Sequence, residues 1–227
     1  MTKSIAVIRD RIERRAERAG LKLSDEIVLR LSEYVELLRK WNARINLTGL
    51  DDKDRGLDRL IIEPLVAAAH LPDKGTAIDI GSGGGSPAIP LKLARPGLFV
   101  RMVESKVRKA AFLREACRHL EISDVEVETG RYEALLSRPE LHEAHDVLTV
   151  RAVRMNPVSL RNLQAFVKPQ GVLGLFRRSS AKDEAVPGLE PPLIVRSRHA
   201  LVGSLQSELV VLEKENLLKL VTEYGAF

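Results

Sequence analysis

One cysteine, Cys117, stands in 227 residues, so no disulfide can close within the chain, and the five histidines with that thiol show no zinc-ligand spacing. That usage fits a reducing cytoplasm and gives no reason to expect a structural metal. Long apolar runs are also missing. Stretches such as residues 65–69 fall far short of the ~18 residues a membrane span needs. Residues 1–20 interleave Asp10, Glu13 and Glu17 with arginines and lack an apolar segment, so they do not read as a secretory signal, and a cytoplasmic location is expected. Acids are absent from one long stretch: residues 151–182 hold seven Lys or Arg and no Asp or Glu.

With 44% apolar and 30% charged residues, the chain has the balance of a soluble protein able to bury a sizeable core. Two further stretches are basic: residues 1–23 carry seven cations against three acids, and residues 101–118 six against two. These three excesses together exceed the net +5 of the whole chain, so the remainder is net acidic. A cationic surface attracts polyphosphate from a distance and gains affinity through counterion release, which makes nucleic acid the leading partner. Ordinary solvated helix faces explain most short charge runs, but the acid-free stretch argues against that reading.

Ile27, Leu31, Tyr34, Leu38, Trp41 and Ile45 recur at alternating spacings of four and three, an apolar stripe on a helix that Ser24 can cap. A helix over residues 5–19 precedes it and one over 55–70 follows, with Pro64 kinking or dividing the third. Residues 1–72 thus form a helical region. Beyond it the period changes. Short β-branched or apolar runs at 76–80, 98–103, 125–128, 146–150 and 172–176 alternate with helix-like stretches at 87–94, 106–120 and 157–167. Such alternation predicts right-handed βαβ units and a mostly parallel, doubly wound sheet over residues 73–227, with ligands at the carboxyl ends of its strands. A loop at 178–192 and two more strands at 194–199 and 209–213 complete the sheet. His142 and His145 read as exposed loop residues, and Cys117 as a buried, inert thiol.

The sharpest motif runs Asp79-Ile80-Gly81-Ser82-Gly83-Gly84-Gly85-Ser86-Pro87, between the first strand and a helix that Pro87 can open. Gly81, Gly83 and Gly85 allow positive φ and clear the β-carbons from a ligand's path. A dinucleotide fingerprint would place its third glycine at position 86; the spacing here suits S-adenosylmethionine better. Glu104 closes the second strand, 23 residues after Gly81, near the offset at which an acid meets ribose hydroxyls. Tyr132 and Glu133 follow the third strand, where a backbone N–H and a carboxylate can read an adenine edge. The fourth strand delivers Arg151 to the same edge.

Together with Trp41-Asn42-Ala43-Arg44-Ile45-Asn46-Leu47-Thr48, Ile89-Pro90-Leu91 and Lys109-Ala110-Ala111-Phe112-Leu113-Arg114, these blocks resemble the small-subunit ribosomal RNA methyltransferase G family, also called glucose-inhibited division protein B. The resemblance runs from about residue 23 to 176. It implies a Rossmann-like class I methyltransferase with an N-terminal helical region, using S-adenosylmethionine to methylate N7 of a guanine in 16S ribosomal RNA, guanine 527 in the family. It also puts Gly81, Ser86, Tyr132, Glu133 and Arg151 on cofactor-contacting positions. The chain departs from the family pattern in three places. His-x-x-Asp-Ser becomes Leu60-Ile61-Ile62-Glu63-Pro64, Phe-Pro-Gly becomes Ser86-Pro87-Ala88, and the Lys-Gly after the fifth strand becomes Arg177-Arg178.

Guanine N7 carries a free lone pair, so its methylation removes no proton first and needs no general base. Approach geometry supplies most of the rate in such a displacement. Arg151 is the candidate catalytic residue, orienting cofactor or base. Arg154, Arg161, Lys168, Arg177 and Arg178 are candidates to hold phosphates of a single-stranded loop in 16S ribosomal RNA or a small-subunit precursor. A monomer suffices for this chemistry. Two other readings stay open: a small-molecule methyltransferase, and an RNA-binding protein that keeps the cofactor pocket without turnover.

Overall fold

A computed structural model describes residues 3–47, 49, 53–151, 156–179 and 185–216. Helix α1 (Lys3–Arg18) buries Ile8, Ile12 and Ala16; α2 (Asp25–Ile45) buries Val28, Leu31, Tyr34, Val35 and Leu38, the stripe the spacing predicts. Ser24 caps α2 by accepting from Ile27 N at 3.3 Å, a contact whose loss costs about 1 kcal/mol in comparable helices. Trp41 packs edge-on against Phe112 at 5.7 Å between ring centroids.

The third helix divides, as Pro64 predicts. Helix α3 (Asp54–Leu57) runs into a widened π-turn (Asp58–Ile62) and then α4 (Glu63–Ala68). Pro64 has no N–H to give, so neither the carbonyl four residues back, Leu60 O, nor that five back, Arg59 O, receives a main-chain donor from it. From the other side, Arg15 of α1 clasps both oxygens of the buried Asp58 carboxylate, which also accepts from Ser204 Oγ at 2.8 Å.

Strands β1 (Lys74–Ile80), β2 (Gly97–Glu104), β3 (Val125–Thr129), β4 (His145–Arg151), β5 (Val167–Arg178), β6 (Leu193–Ala200) and β7 (Ser207–Lys214) form one sheet among the described residues, in the order β3-β2-β1-β4-β5-β7-β6. The first five are parallel, whereas β7 runs antiparallel to both β5 and β6, which makes the sheet mixed. Helices α5 (Ala88–Ala94), α6 (Val107–His119), α7 (Tyr132–Leu135) and α8 (Pro157–Gln164) fill the crossovers. Pro87 serves as the cap of α5, which begins one residue later than expected.

Alternation along the strands sends side chains to two apolar layers. Ile8, Leu31, Ile89 and Phe112 pack with Val100 and Met102 on one face; Leu160, Leu163 and Phe166 pack with Ile78, Leu148 and Leu173 on the other. Cys117 is buried in the first layer, and burial pushes its thiol up to about 11. His145 corrects the sequence reading: it is buried in β4, 3.0 Å from Phe166 O through Nδ1. A carbonyl can only accept, so that nitrogen carries the proton. No helix among the described residues is long and apolar enough to cross a membrane. The strand order reverses between β1 and β4, and at that switch point the carboxyl ends open a crevice.

Candidate active site

At the end of β1, Ile80 lies beside Val103 of β2 and Val150 of β4. Gly81 N and Ser82 N both donate to Val103 O, at 2.9 and 3.1 Å, tying the following turn to β2. Gly81, Gly83 and Gly85 adopt φ of 76°, 54° and 91°, the left-handed region that their spacing predicts. At Gly85 the demand is also steric, since a β-carbon would lie 2.5 Å from Ile89 Cδ1. Glu104 clasps the turn from β2: Oε2 accepts from Gly83 N at 2.8 Å and Oε1 from Lys106 N at 2.7 Å. Tyr34 reaches in from α2 and donates its hydroxyl to Gly84 O at 2.5 Å; burial pushes the phenol pKa up, so the donor keeps its proton.

Asp79 and Thr149 are register partners across β1 and β4, and Arg151 follows on the same face. Thr149 Oγ1 donates to Asp79 Oδ1 at 2.6 Å, while Asp79 Oδ2 is buried without a partner among the described residues. Burial pushes the Asp79 carboxyl pKa up, opposed by the Thr149 hydrogen bond. Arg151 Nη1 donates to Arg59 O at 2.6 Å and to Glu63 Oε2 at 2.8 Å, and its Nη2 donates to Ser86 Oγ. Ser86 in turn donates to Leu60 O at 2.7 Å. Glu63 is 1% exposed, so this ion pair is buried; burial pulls the Arg151 pKa down and Glu63 opposes it. The guanidinium carbon also sits 5.8 Å from the centroid of Phe176.

Two cavities meet at Gly81. One, of about 270 Å³, is walled by Leu47, Arg59, Leu60, Gly83, Ser86 and Arg151; the other, of about 160 Å³, by Val103, Ser105, Arg131, Tyr132 and Glu133. The sequence-predicted residues therefore divide into two groups. Gly81, Gly83, Ser86, Tyr132, Glu133 and Arg151 face these cavities. Asp79, Gly85 and Glu104 line neither; they hold the turn and the strand ends in place.

The predicted phosphate-holding cations do not gather at this mouth. Lys168 is paired with Asp146 at 2.8 Å near the amino end of β5, ten residues before Arg178, roughly 30 Å away at strand spacing. Arg177 is tied to Glu208 at 2.6 Å, and Arg161 to Glu190 at 3.1 Å in an exposed pair of little energetic weight. Arg178 is exposed with no carboxylate partner among the described residues, and Arg154 lies outside them. Free cations instead cluster at the start of α6 and after β3: Lys106, Arg108 and Arg131 are exposed and without acidic partners among the described residues.

Sequence reasoning missed Glu63, Thr149 and Tyr34 as parts of the site. The signals were present. A lone acid in the run Ile61-Ile62-Glu63-Pro64-Leu65 needs a buried cation, and a tyrosine on a core stripe needs a partner for its hydroxyl.

A model of the family described as rRNA small subunit methyltransferase G matches residues 27–207. A protein of that name from Roseiflexus sp. is 42% identical over 135 residues, 59% of this chain and 58% of its own length. Another from Neisseria meningitidis serogroup A is 30% identical over 192 residues, 82% of this chain and 92% of its own. The chain thus spans about six-tenths of the Roseiflexus relatives and nearly all of the Neisseria one. Among solved structures, a SAM-dependent methyltransferase from Aquifex aeolicus superposes with a TM-score of 0.56 at 17% identity, over 74% of this chain and 97% of that one. MtNAS in complex with MTA and tNA gives 0.55 at 17%, over 93% and 76%. At that identity the likeness is one of fold, the Rossmann-like α/β fold of methyltransferases. A match that begins in α2, takes in the glycine turn, Glu104 and Arg151, and reaches the start of β7 places the chain within a single lineage: it belongs to the rRNA small subunit methyltransferase G family.

Proposed function

We propose that the protein transfers a methyl group from S-adenosylmethionine to N7 of a guanine in 16S ribosomal RNA. One observation carries the reading: Gly81 borders both cavities, so a single glycine turn serves a recess beside Tyr132 and Glu133 and a second beside Ser86 and Arg151. The residues present suit an adenosyl group. A β-carbon at Gly83 would meet nothing closer than Gly81 O at 3.7 Å, so the turn offers bare backbone. Glu104 supports that backbone from beneath, its two oxygens accepting from Gly83 N and Lys106 N. Tyr132 and Glu133 border the recess suited to adenine, and Asp79, buried under the turn, fixes β1 to β4.

When bound, S-adenosylmethionine supplies an electrophilic methyl group on a sulfonium. Because guanine N7 is already a nucleophile, the protein's work is alignment. Arg151 uses three of its five N–H groups on Arg59 O, Glu63 and Ser86, which fixes the guanidinium plane on the wall of the larger cavity and leaves two donors for cofactor or base. Phosphates of the RNA fall to exposed cations around this edge: Lys106, Arg108, Arg131 and Arg178, with Arg161 recruited from its weak surface pair and Arg154 beside them in sequence.

Tritium transfer from labelled cofactor to small-subunit ribosomal RNA, followed by mass mapping of modified guanines, tests the proposal. Label in an N7-methylguanine is expected. Bound RNA without label would leave a binding protein, and label in a small molecule alone would leave a different methyltransferase.

A further inference from the structure

Pro64 and Ser86, 22 residues apart in sequence, converge on the same atoms. Pro64 has no N–H to give, and Ser86 carries a hydroxyl. In a regular helix an amide at position 64 would donate to Leu60 O, and in a π-turn to Arg59 O. Both carbonyls accept from the site instead: Leu60 O from Ser86 Oγ at 2.7 Å, and Arg59 O from Arg151 Nη1 at 2.6 Å. Ser86 then receives Arg151 Nη2 on the oxygen whose proton it has given to Leu60.

We propose that Pro64 and Ser86 are paired positioning residues for Arg151: the π-turn commits Glu63 N to Asp58 O and the proline withholds the next amide, and the serine hydroxyl and the guanidinium occupy Leu60 O and Arg59 O. Glu63, adjacent in the chain, adds the charge that keeps the guanidinium in this socket at 2.8 Å. The geometry is directional. Arg59 O and Glu63 fix one end of the guanidinium and Ser86 fixes the other, so its plane cannot turn without breaking a contact at each end. The proposal rests on the methyl-transfer reading for its kinetic arm alone.

The test is a double-variant cycle, Pro64→Ala, Ser86→Ala and both, on the full chain without ligand. Nitrogen-15 NMR of the arginine side chains reads the Arg151 N–H signals, thermal melting reads stability, and labelled methyl transfer reads kcat and KM. Ser86→Ala is expected to lower the melting temperature by several degrees and to average the Arg151 signals. Pro64→Ala supplies an amide that competes for the two carbonyls, so its melting temperature holds or rises while the Arg151 signals average and kcat falls at least tenfold, with KM within about twofold. In the double variant the new amide takes Leu60 O, restoring the melting temperature lost in Ser86→Ala but not the Arg151 signals. Ser86→Thr, which keeps the hydroxyl, retains them.

Opposite movement of stability and guanidinium order in Pro64→Ala is the signature that a merely structural proline would not give. A Pro64→Ala protein with an unchanged Arg151 spectrum, or melting shifts that simply add across the cycle, would overturn the pairing. If the unaltered protein transfers no methyl group, the functional reading fails, while the spectra and the melting cycle still decide this inference.

Discussion

Thr149 gives its hydroxyl to one oxygen of Asp79 at 2.6 Å, and the other oxygen of that carboxylate has no partner among the described residues. Asp79 is 1% exposed, so the Thr149 hydroxyl on its carboxylate carries unusual weight. Thr149→Val keeps the shape and removes that donor. A loss of about 2 kcal/mol is expected in urea unfolding at neutral pH, the cost of leaving a buried acceptor unsatisfied. An unchanged midpoint would mean that water or another donor takes over.

The same carboxylate sets a pH dependence. Its folded pKa is raised by burial, so folding favours the protonated form. The resulting stability is present below the ordinary value of 3.8 and is lost as pH rises through the raised folded value. Asp79→Asn cannot ionise. Its stability relative to the unaltered protein should therefore increase from pH 3.5 toward neutrality and then level off, as read from urea midpoints across that range. A difference that shrinks with pH would contradict the sign.

Removing Arg151 uncovers Glu63, because the pair is buried and Arg151 Nη1 lies 2.8 Å from Glu63 Oε2. Arg151→Ala should abolish methyl transfer and also cost about 3 kcal/mol, since a buried charge loses its partner. Arg151→Met combined with Glu63→Gln should regain most of that stability without activity. Calorimetry and turnover on the two proteins separate the roles.

RNA affinity should track the free cations rather than the paired ones. Neutralising Lys106, Arg108 and Arg131 together is expected to reduce the slope of log affinity against log salt by about 2 for a single-stranded RNA. Lys168→Gln, at the other edge of the sheet, should leave it unchanged. Titrations at three or four salt concentrations check both. Equal slopes for the triple variant and the unaltered protein would move the RNA elsewhere.

Arg15→Ala should lower stability by about 3 kcal/mol, because it strips the cation from the nearly inaccessible carboxylate of Asp58. Denaturant unfolding measures it. A change under 1 kcal/mol would mean that Ser204 suffices.

Much of this architecture was legible in the sequence because local periodicity and tertiary burial agree. The stripe from Ile27 to Ile45 became a helix, and each expected strand run fell within one of the seven strands. The glycine turn was readable because positive φ is a property of single residues. What could not be read was pairing across distance. The basic stretch after Arg151 looked like a cationic surface, yet Lys168 and Arg177 meet Asp146 and Glu208, acids that lie outside the stretch. His145 looked like a loop residue because nothing near it in sequence shows that Phe166 offers a carbonyl. Likewise, Leu60–Pro64 and Ser86–Ala88 looked like two unrelated departures until folding brought Leu60 O against Ser86.

The grip of Arg15 on Asp58 bears on how much of the molecule is needed to work. The family match starts at residue 27, after α1 has ended, yet Arg15 braces the turn whose next residue, Arg59, offers its carbonyl to Arg151. Trimming the protein to residues 27–207 would remove Arg15 and strand the Asp58 carboxylate in the interior without its cation. In this chain, the leading helix is therefore a strut for the contact between Arg59 and Arg151, whose far end lies more than a hundred residues downstream.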